Sequence, residues 1–173
     1  MKTLILGGAR SGKSAVAEAR LADAAAVDYV ATGASPSDDD LDWAARVQAH
    51  RARRPPNWRT VETLDLVAVL TDPGAPALIE CISTWLAAVM DEVGFWSGGA
   101  ATVLGQRTDE LVEAWTASTR TVIAVSSEVG LSVVPSTAAG RSYRDELGRL
   151  NIRLAADADE VLFVVAGLTQ RLK

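Results

Sequence analysis

A glycine-rich stretch near the start of the sequence has the spacing of a loop that binds phosphate groups. The pattern G-x-x-x-x-G-K-[ST] begins at Gly7 and ends at Ser14, directly after an apolar run. Glycines let the backbone curl so that its N–H groups point at phosphate oxygens, while Lys13 reaches the β- and γ-phosphates and Ser14 ligates Mg²⁺. A glycine turn with a surface lysine would explain neither Ser14 nor the apolar run. We therefore predict that a purine nucleoside triphosphate binds at Gly7, Gly8, Ala9, Arg10, Ser11, Gly12, Lys13 and Ser14.

A second candidate is a carboxylate at the end of a predicted strand. In a metal-dependent nucleotide site such a group holds water ligands of Mg²⁺ beside the phosphate loop. Glu80 directly follows the apolar residues Leu78 and Ile79, which places it at a strand end. Ser14 and Glu80 are therefore the predicted metal-site residues. The alternative interpretation of Glu80 is a polar strand terminus without a role in metal binding.

The single histidine of the sequence, His50, stands among arginines. Four arginines lie within four residues of it, although the chain as a whole carries a net charge of −5. Such a cluster is typical of a phosphate-binding surface, and a neutral imidazole beside bound phosphates is a competent nucleophile toward phosphorus. From these residues alone two interpretations of His50 stay open: a catalytic nucleophile, or a surface or capping residue on an arginine-rich helix.

These residues must be positioned by a framework in which apolar strands alternate with helices. We predict strands at 2–6, 28–31, 59–62, 77–81, 120–126 and 160–166. We predict helices at 13–25, 41–53, 65–71, 84–92, 108–118 and 140–156, the last with a candidate break at Gly148. Residues 35–40 are predicted to form a loop, and 94–105 to be the least ordered segment. The alternation predicts one α/β domain over residues 1–173, with a mostly parallel sheet and helices on both faces.

Length, charge and composition narrow the class of protein. The chain has 173 residues, of which 49% are hydrophobic, and this suits one domain with a substantial core. Its net charge of −5 would repel a polyanion, so we expect no nucleic-acid partner. The one cysteine, Cys81, allows no internal disulfide, and no apolar run approaches the roughly 18 residues of a membrane span. We therefore expect a cytoplasmic protein without a membrane partner.

Short blocks along nearly the whole chain resemble a known family, the bifunctional adenosylcobinamide kinases/adenosylcobinamide-phosphate guanylyltransferases of cobalamin biosynthesis. The blocks include G-G-A-R-S-G-K-S from Gly7, R-V-Q-A-H ending at His50, and E-V-G from Glu128. Each block is modest, but their order and spacing together are specific. The matching residues are 7–14, 29–32, 46–50, 54–55, 58–62, 78–81, 128–130, 134–135, 143–145, 151, 158–161, 167–168 and 172–173.

This resemblance implies both a fold and a chemistry. The implied protein has a P-loop NTPase-like (RecA-like) three-layer fold and is a homotrimer. Its kinase activity phosphorylates adenosylcobinamide with ATP or GTP. In its second activity a histidine, matched by His50, attacks the α-phosphate of GTP and pyrophosphate leaves. The GMP group then passes to adenosylcobinamide phosphate and gives adenosylcobinamide-GDP.

The resemblance also implies the surroundings of the nucleotide. Lys13, together with Mg²⁺ bound by Ser14, would neutralise the triphosphate, so Lys13 joins His50 as a predicted catalytic residue. Glu62 is a candidate for a contact with guanine or ribose, and the alternative is an exposed carboxylate at a strand end. The other predicted nucleotide-binding residues are Ala31, Thr32, Gly33, Arg51, Ala52, Arg53, Arg54 and Glu80.

The sequence departs from the family pattern at positions outside the phosphate loop and His50. The departures are Ala88, Ser127, Ser132 and Ile152. Because they concern the corrinoid side or the kinase half-reaction, guanylyl transfer is predicted to be retained and the kinase activity stays open. Two other classes of protein also stay open: a small-molecule kinase without a covalent intermediate, and a GTP-dependent switch that is not an enzyme.

Overall fold

The computed structural model describes residues 1–33, 41–97 and 100–173. The side chains of Asp42, Trp43, Arg46, His50 and Ser97 also lie outside this description. The predicted loop at 35–40 falls outside it as well, so that loop stays a prediction.

The described ranges contain a sheet of seven strands. The strands are β1 (Lys2–Gly7), β2 (Val27–Ala31), β3 (Trp58–Glu62), β4 (Ala77–Glu80), β5 (Val122–Ser127), β6 (Glu160–Val165) and β7 (Leu168–Arg171). They lie in the order β3-β2-β4-β5-β1-β6-β7. β7 is antiparallel to β6, and every other neighbouring pair is parallel. The predicted mostly parallel sheet is confirmed.

Helices cover both faces of this sheet. They are α1 (Lys13–Ala19), α2 (Leu41–Arg53), α3 (Leu66–Thr71), α4 (Ile82–Glu92), α5 (Ala101–Ala117) and α6 (Ala138–Asp157), with a short 3₁₀ helix at Phe95–Ser97. Adjacent residues of a strand point to opposite faces. Leu4 accordingly packs with α3 to α6 on one side, while Ile5 packs with Ala17 of α1 on the other. The predicted three-layer α/β fold is confirmed.

The bounds of two helices show what the sequence could predict. α2 has the predicted bounds, because Pro55 and Pro56 follow closely and cannot continue a helix. α1 ends at Ala19 rather than at 25, so the predicted end is wrong. Beyond it the Leu21 amide bonds the carbonyl of Glu18, 3.1 Å away, in a tighter turn that brings the buried Leu21 onto the sheet before β2.

The described residues of the glycine-rich segment at 94–105, which are 94–97 and 100–105, are more regular than predicted. α5 begins at Ala101 and continues through Gly105, because Leu104 and Leu111 belong to a buried stripe at helical spacing. Burial of such a stripe outweighs the cost of about 1 kcal/mol for one helical glycine. α6 likewise continues through Gly148 without the break considered above.

A strand is predicted at 160–166 as the last of the sheet. The strand is present as β6, but it is not the last, because β7 follows β6. β6 ends at Val165, and Ala166 and Gly167 reverse the chain with φ angles of 51° and 78°. Positive φ at both central residues is the geometry of a two-residue hairpin turn. Such a turn usually carries Asn-Gly, so the alanine concealed the hairpin in the sequence.

An ion-pair network at the amino edge of the sheet links β2, β3 and the segment that precedes β5. Asp28 of β2 accepts hydrogen bonds from Arg59 of β3, at 2.7 and 2.9 Å, and from Arg120, which precedes β5. The Arg120 side chain is only 2% exposed and also donates to the carbonyl of Val69, 2.9 Å away. Hydrogen bonds from Arg59 and then from Arg120 lower the pKa of Asp28, against the opposing effect of burial.

We expect Asp28→Asn to destabilise the fold, because it leaves the buried charge of Arg120 without its counter-charge. The expected loss is about 3 kcal/mol in the free energy of unfolding, measured by urea titration. Arg59→Gln is the matched control. Its side chain is 68% exposed, so removing it should change the urea midpoint far less.

The same pair predicts a pH dependence. The pKa of Asp28 is lower in the folded than in the unfolded protein. The ionised carboxylate therefore stabilises the fold fully at a pH above its pKa in the unfolded chain, and this stabilisation is lost as the pH falls through its pKa in the folded protein. The urea midpoint of wild type should therefore drop more steeply in acid than that of Asp28→Asn. Equal midpoints of the two proteins at neutral pH would contradict this account of the network.

Candidate functional site

The phosphate loop is shaped by the close packing of its first glycine. Gly7 ends β1, and a Cβ atom built there would lie 2.5 Å from Oγ of Ser11 and 2.6 Å from the carbonyl oxygen of Val164. No larger residue fits at those distances, so the glycine allows the loop to fold tightly over the end of the strand. Gly12 then enters α1 with a φ of 94°, a conformation that side chains rarely adopt.

The β6–β7 hairpin braces this loop from the side. The amide of Gly167 donates to the carbonyl of Ser11 over 2.8 Å, and the amide of Ser11 donates to the carbonyl of Gly8 over 3.3 Å. A Cβ atom on Gly12 would lie 3.2 Å from Cα of Gly167. The hairpin that the sequence prediction lacked is therefore part of the wall of the site.

Polar groups of the loop are available for a ligand. Nζ of Lys13 folds back over the loop and donates to the carbonyl of Gly8, 3.1 Å away. Oγ of Ser11 is buried and has no hydrogen-bond partner among the described residues. The ammonium group of Lys13 and the backbone N–H groups of a tight turn suit a phosphate, which accepts hydrogen bonds at several oxygens.

Ser14 and Glu80, the two predicted metal-site residues, are in direct contact. Oγ of Ser14 donates to Oε1 of Glu80 over 2.7 Å, which joins the first turn of α1 to the end of β4. Burial raises the pKa of Glu80 to about 7, and the Ser14 hydrogen bond and the charge of Lys13 oppose the rise. Parts of the Glu80 residue reach the surface, but its Oε2 atom is buried and has no partner in the described part of the chain.

This arrangement fits Mg²⁺, which prefers oxygen ligands and keeps several of its waters. A serine hydroxyl and an adjacent carboxylate with an unused oxygen supply that chemistry. The described residues contain no cluster of three or more His, Cys, Asp or Glu side chains that could hold a metal by themselves. Nucleotide phosphates and waters would therefore have to complete the coordination.

The Thr32 side chain bonds the backbone of the residue that follows Glu80. Oγ1 of Thr32 donates to the carbonyl of Cys81 over 2.7 Å and accepts from its amide over 3.0 Å, directly after Glu80. Cys81 belongs to the N-cap of α4 rather than to the predicted strand, and Oγ1 of Thr84 completes a capping box there. The Thr32 hydroxyl is thus already hydrogen-bonded within the protein. The predicted contacts of Ala31, Thr32 and Gly33 with the nucleotide stay predictions.

The predicted arginine cluster is organised by ion pairs at the end of α2. Nη2 of Arg51 lies 2.8 Å from Oε1 of Glu62, which ends β3. Arg53 makes two hydrogen bonds, of 3.0 and 3.1 Å, to the carboxylate of Glu18, and these raise the pKa of Arg53. Glu18 follows Ser14 by one helical turn, so this pair ties α2 to the helix that begins in the phosphate loop.

Arg54 is held differently from its neighbours. Its guanidinium carbon lies 3.4 Å from the ring centroid of Tyr29, and Nη1 donates to Oγ1 of Thr60 over 2.9 Å. A groove of about 400 Å³ opens beside it. The groove is lined by Arg51, Arg54, Pro55, Pro56, Trp58, Thr60 and Glu62.

Sequence reasoning missed Glu18, Tyr29 and Thr60 as partners of these arginines. The spacing of Glu18 from Ser14 on α1 was the available signal, whereas the contacts with Tyr29 and Thr60 depend on how β2 and β3 pair. Ala52 is exposed on α2. His50 lies three residues before Arg53 in the same helix, and its side chain is outside the described part of the structure.

These features together define a P-loop nucleotide-binding protein. A tight glycine loop follows a strand, a lysine and a serine begin the next helix, and a carboxylate lies at the end of a nearby strand. Similar folds occur in a prototypical ATPase from the type III secretion system of pathogenic bacteria (TM-score 0.59, 14% identity, 98% of this chain and 56% of that chain). The type III secretion ATPase EscN from enteropathogenic E. coli is also similar (TM-score 0.56, 14% identity, 95% and 43%). At this identity the likeness concerns the fold alone.

The chain belongs to the cobinamide kinase / cobinamide phosphate guanyltransferase family, whose model matches residues 3–172. It is 36% identical to the bifunctional adenosylcobalamin biosynthesis protein CobU of Escherichia coli and 39% identical to that of Salmonella typhimurium, with 100% of each chain covered. It is 39% identical to the bifunctional adenosylcobalamin biosynthesis protein CobP of Pseudomonas aeruginosa, with 100% of this chain and 98% of that one covered. The resemblance inferred from the sequence blocks is confirmed. Within the described ranges, no helix has the length and apolar character needed to cross a membrane.

The packing around Gly7 predicts that Gly7→Ala distorts the phosphate loop. Because its Cβ atom would overlap Ser11 and the backbone of Val164, we expect a loss of about 1–3 kcal/mol in unfolding free energy and weaker nucleotide binding. Gly8→Ala is the matched control for stability, since a Cβ atom there meets nothing within 4 Å. Urea titration and nucleotide titration measure the two effects. A Gly7→Ala protein as stable as Gly8→Ala would refute the steric argument.

Proposed function

We propose that this chain phosphorylates adenosylcobinamide with ATP or GTP and then transfers GMP from GTP to adenosylcobinamide phosphate, giving adenosylcobinamide-GDP. Family membership supports the substrates. The contact between Ser14 and Glu80 beneath the phosphate loop is the observation that carries the nucleotide chemistry, because it joins a phosphate-binding turn to a carboxylate suited to Mg²⁺.

In the guanylyl transfer we assign His50 as the nucleophile. A neutral imidazole nitrogen attacks the α-phosphorus of GTP, a P–N bond forms, and the bond from α-phosphorus to the bridging oxygen breaks. Pyrophosphate leaves with that electron pair. A phosphate oxygen of adenosylcobinamide phosphate then attacks the same phosphorus, the P–N bond breaks, and the imidazole is restored.

The phosphate loop holds the leaving group in this scheme. Backbone N–H groups of the loop and Nζ of Lys13 bind the β- and γ-phosphates. Ser14 and Glu80 would hold Mg²⁺, which when bound neutralises charge on the triphosphate. Glu18 and Arg53 have a positioning role, because their ion pair connects α1 to α2, the helix that carries His50.

The groove beside α2 is the proposed place for the rest of the nucleotide. Glu62 is half-exposed there and can bind guanine or ribose hydroxyls, and Arg51 and Arg54 can contact phosphate oxygens. The ion pair of Arg51 with Glu62 is no obstacle, because exposed pairs contribute only about 0–1 kcal/mol and exchange partners readily. The proposed surroundings of the nucleotide also include Ala31, Thr32, Gly33, Ala52 and Arg53. The resemblance further supports a cytoplasmic homotrimer of single-domain chains that acts on a corrinoid, with neither nucleic acid nor membrane as a partner.

The covalent step is tested with GTP labelled at the α-phosphate. With Mg²⁺ present, wild type should acquire acid-labile label and release pyrophosphate, whereas His50→Asn should bind GTP without being labelled. Equal labelling of His50→Asn would remove His50 as the nucleophile. Phosphorylation of adenosylcobinamide without any protein labelling would favour a plain small-molecule kinase. GTP binding without pyrophosphate release or phosphorylation would favour a switch protein.

The metal role of Glu80 is tested by Glu80→Gln. Loss of the carboxylate should lower label incorporation at limiting Mg²⁺ by about 10-fold or more, while metal-free nucleotide binding changes little. Glu113→Gln is the matched control, because Glu113 is an exposed carboxylate on α5. An unchanged Mg²⁺ dependence in Glu80→Gln would argue that Glu80 is only a polar strand terminus.

A further inference from the structure

The sheet topology creates a crevice between β1 and β5. These strands are parallel neighbours, with Gly7 opposite Ser127. The connection after β1 passes into α1, which packs on the face that holds Ile5 and Val125. The connection after β5 passes into α6, which packs on the opposite face with Leu4. Where adjacent parallel strands send their connections to opposite faces, ligands bind in the crevice at the strand ends.

Glu128 occupies the wall of this crevice opposite the phosphate loop. It is the first residue after β5, and its amide donates to the carbonyl of Gly7 over 3.0 Å. Its Oε1 atom accepts from the amide of Gly130 over 2.5 Å, and a Cβ atom on Gly130 would lie 2.9 Å from that oxygen. The Glu-x-Gly spacing therefore holds the carboxylate in one orientation with one oxygen occupied.

The charge of Glu128 is not used by a cation in the described part of the chain. Three carboxylates end or follow strands at this edge of the sheet. Glu62 pairs with Arg51, and Glu80 accepts from Ser14. Glu128 is half-buried, and its one hydrogen bond between described residues comes from a neutral amide. Its second oxygen is therefore free to accept a proton or a hydrogen bond from a substrate.

We propose that Glu128 is the general base of the kinase reaction, an inference that rests on the function proposed above. The substrate hydroxyl approaches the γ-phosphate through the crevice, and its oxygen forms a bond to the γ-phosphorus. The bond from γ-phosphorus to the β,γ-bridging oxygen breaks, and the nucleoside diphosphate leaves with that electron pair. The hydroxyl proton passes to the free oxygen of Glu128. The departure from the family pattern at Ser127 leaves this carboxylate in place.

Guanylyl transfer has no need of this base, because a neutral imidazole and a phosphate oxygen attack without losing a proton. A change at Glu128 should therefore slow phosphorylation of adenosylcobinamide without slowing guanylyl transfer. Glu128→Gln is the sharpest test, since glutamine keeps an oxygen to accept from Gly130 but cannot take up a proton. Glu113→Gln again serves as the matched exposed control.

The experiment follows both half-reactions in the same preparations. With adenosylcobinamide and γ-labelled ATP, Glu128→Gln should lower kcat by about 100-fold or more and leave the KM for ATP nearly unchanged. Labelling of the protein by α-labelled GTP and the thermal midpoint should match wild type. A Glu128→Gln protein that phosphorylates adenosylcobinamide as fast as wild type would overturn the proposal.

The remaining outcomes separate this role from others. Parallel losses in both half-reactions and in thermal stability would show that Glu128 only supports the loop, which also overturns the proposal. If wild type itself transfers no phosphate from ATP or GTP, the proposed kinase function fails and the role of Glu128 fails with it. An active wild type with an equally active Glu128→Gln removes the role of Glu128 alone.

Discussion

The parallel pairing of β1 with β5 on one side and β6 on the other is the constraint on which the rest of the site depends. Leu4 and Ile5 are fully buried between the two helical layers, so β1 cannot slide or turn without exposing both faces of the core. This register places Gly7 beside Ser127 and Val164. The position of the phosphate loop is therefore a consequence of how β1 is packed.

Carboxylates at one edge of the sheet acquire different chemistry from their partners. Glu62 faces an arginine, Glu80 faces a hydroxyl under the phosphate loop, and Glu128 faces a backbone amide. The first contact is an ion pair, the second joins two oxygen groups that can both bind a metal, and the third leaves one carboxylate oxygen without a partner among the described residues. In the functions proposed above, these three identical groups would serve recognition, metal binding and proton transfer at one edge of the sheet.

Sequence reasoning succeeded where a local pattern has one physical solution. The loop from Gly7 to Ser14, the bounds of α2 and the alternation of strands and helices are of this kind. It did not reveal contacts between residues that are far apart along the chain. Examples are the hydrogen bonds of Thr32 with Cys81, of Arg53 with Glu18 and of Gly167 with Ser11. Such contacts depend on which strands become neighbours, and spacing along the chain carries no such information.

The brace that Gly167 provides has a consequence for the order of events during biosynthesis. The phosphate loop is synthesised before the hairpin turn that bonds the Ser11 carbonyl, and most of the described residues lie between them. A contact of such long sequence separation cannot form until the chain between its ends has been made, and it must offset the entropy of closing that loop. Full closure of the phosphate loop in a nascent chain therefore requires this hairpin, and a nucleotide that binds the closed loop would stabilise the molecules in which the hairpin has formed.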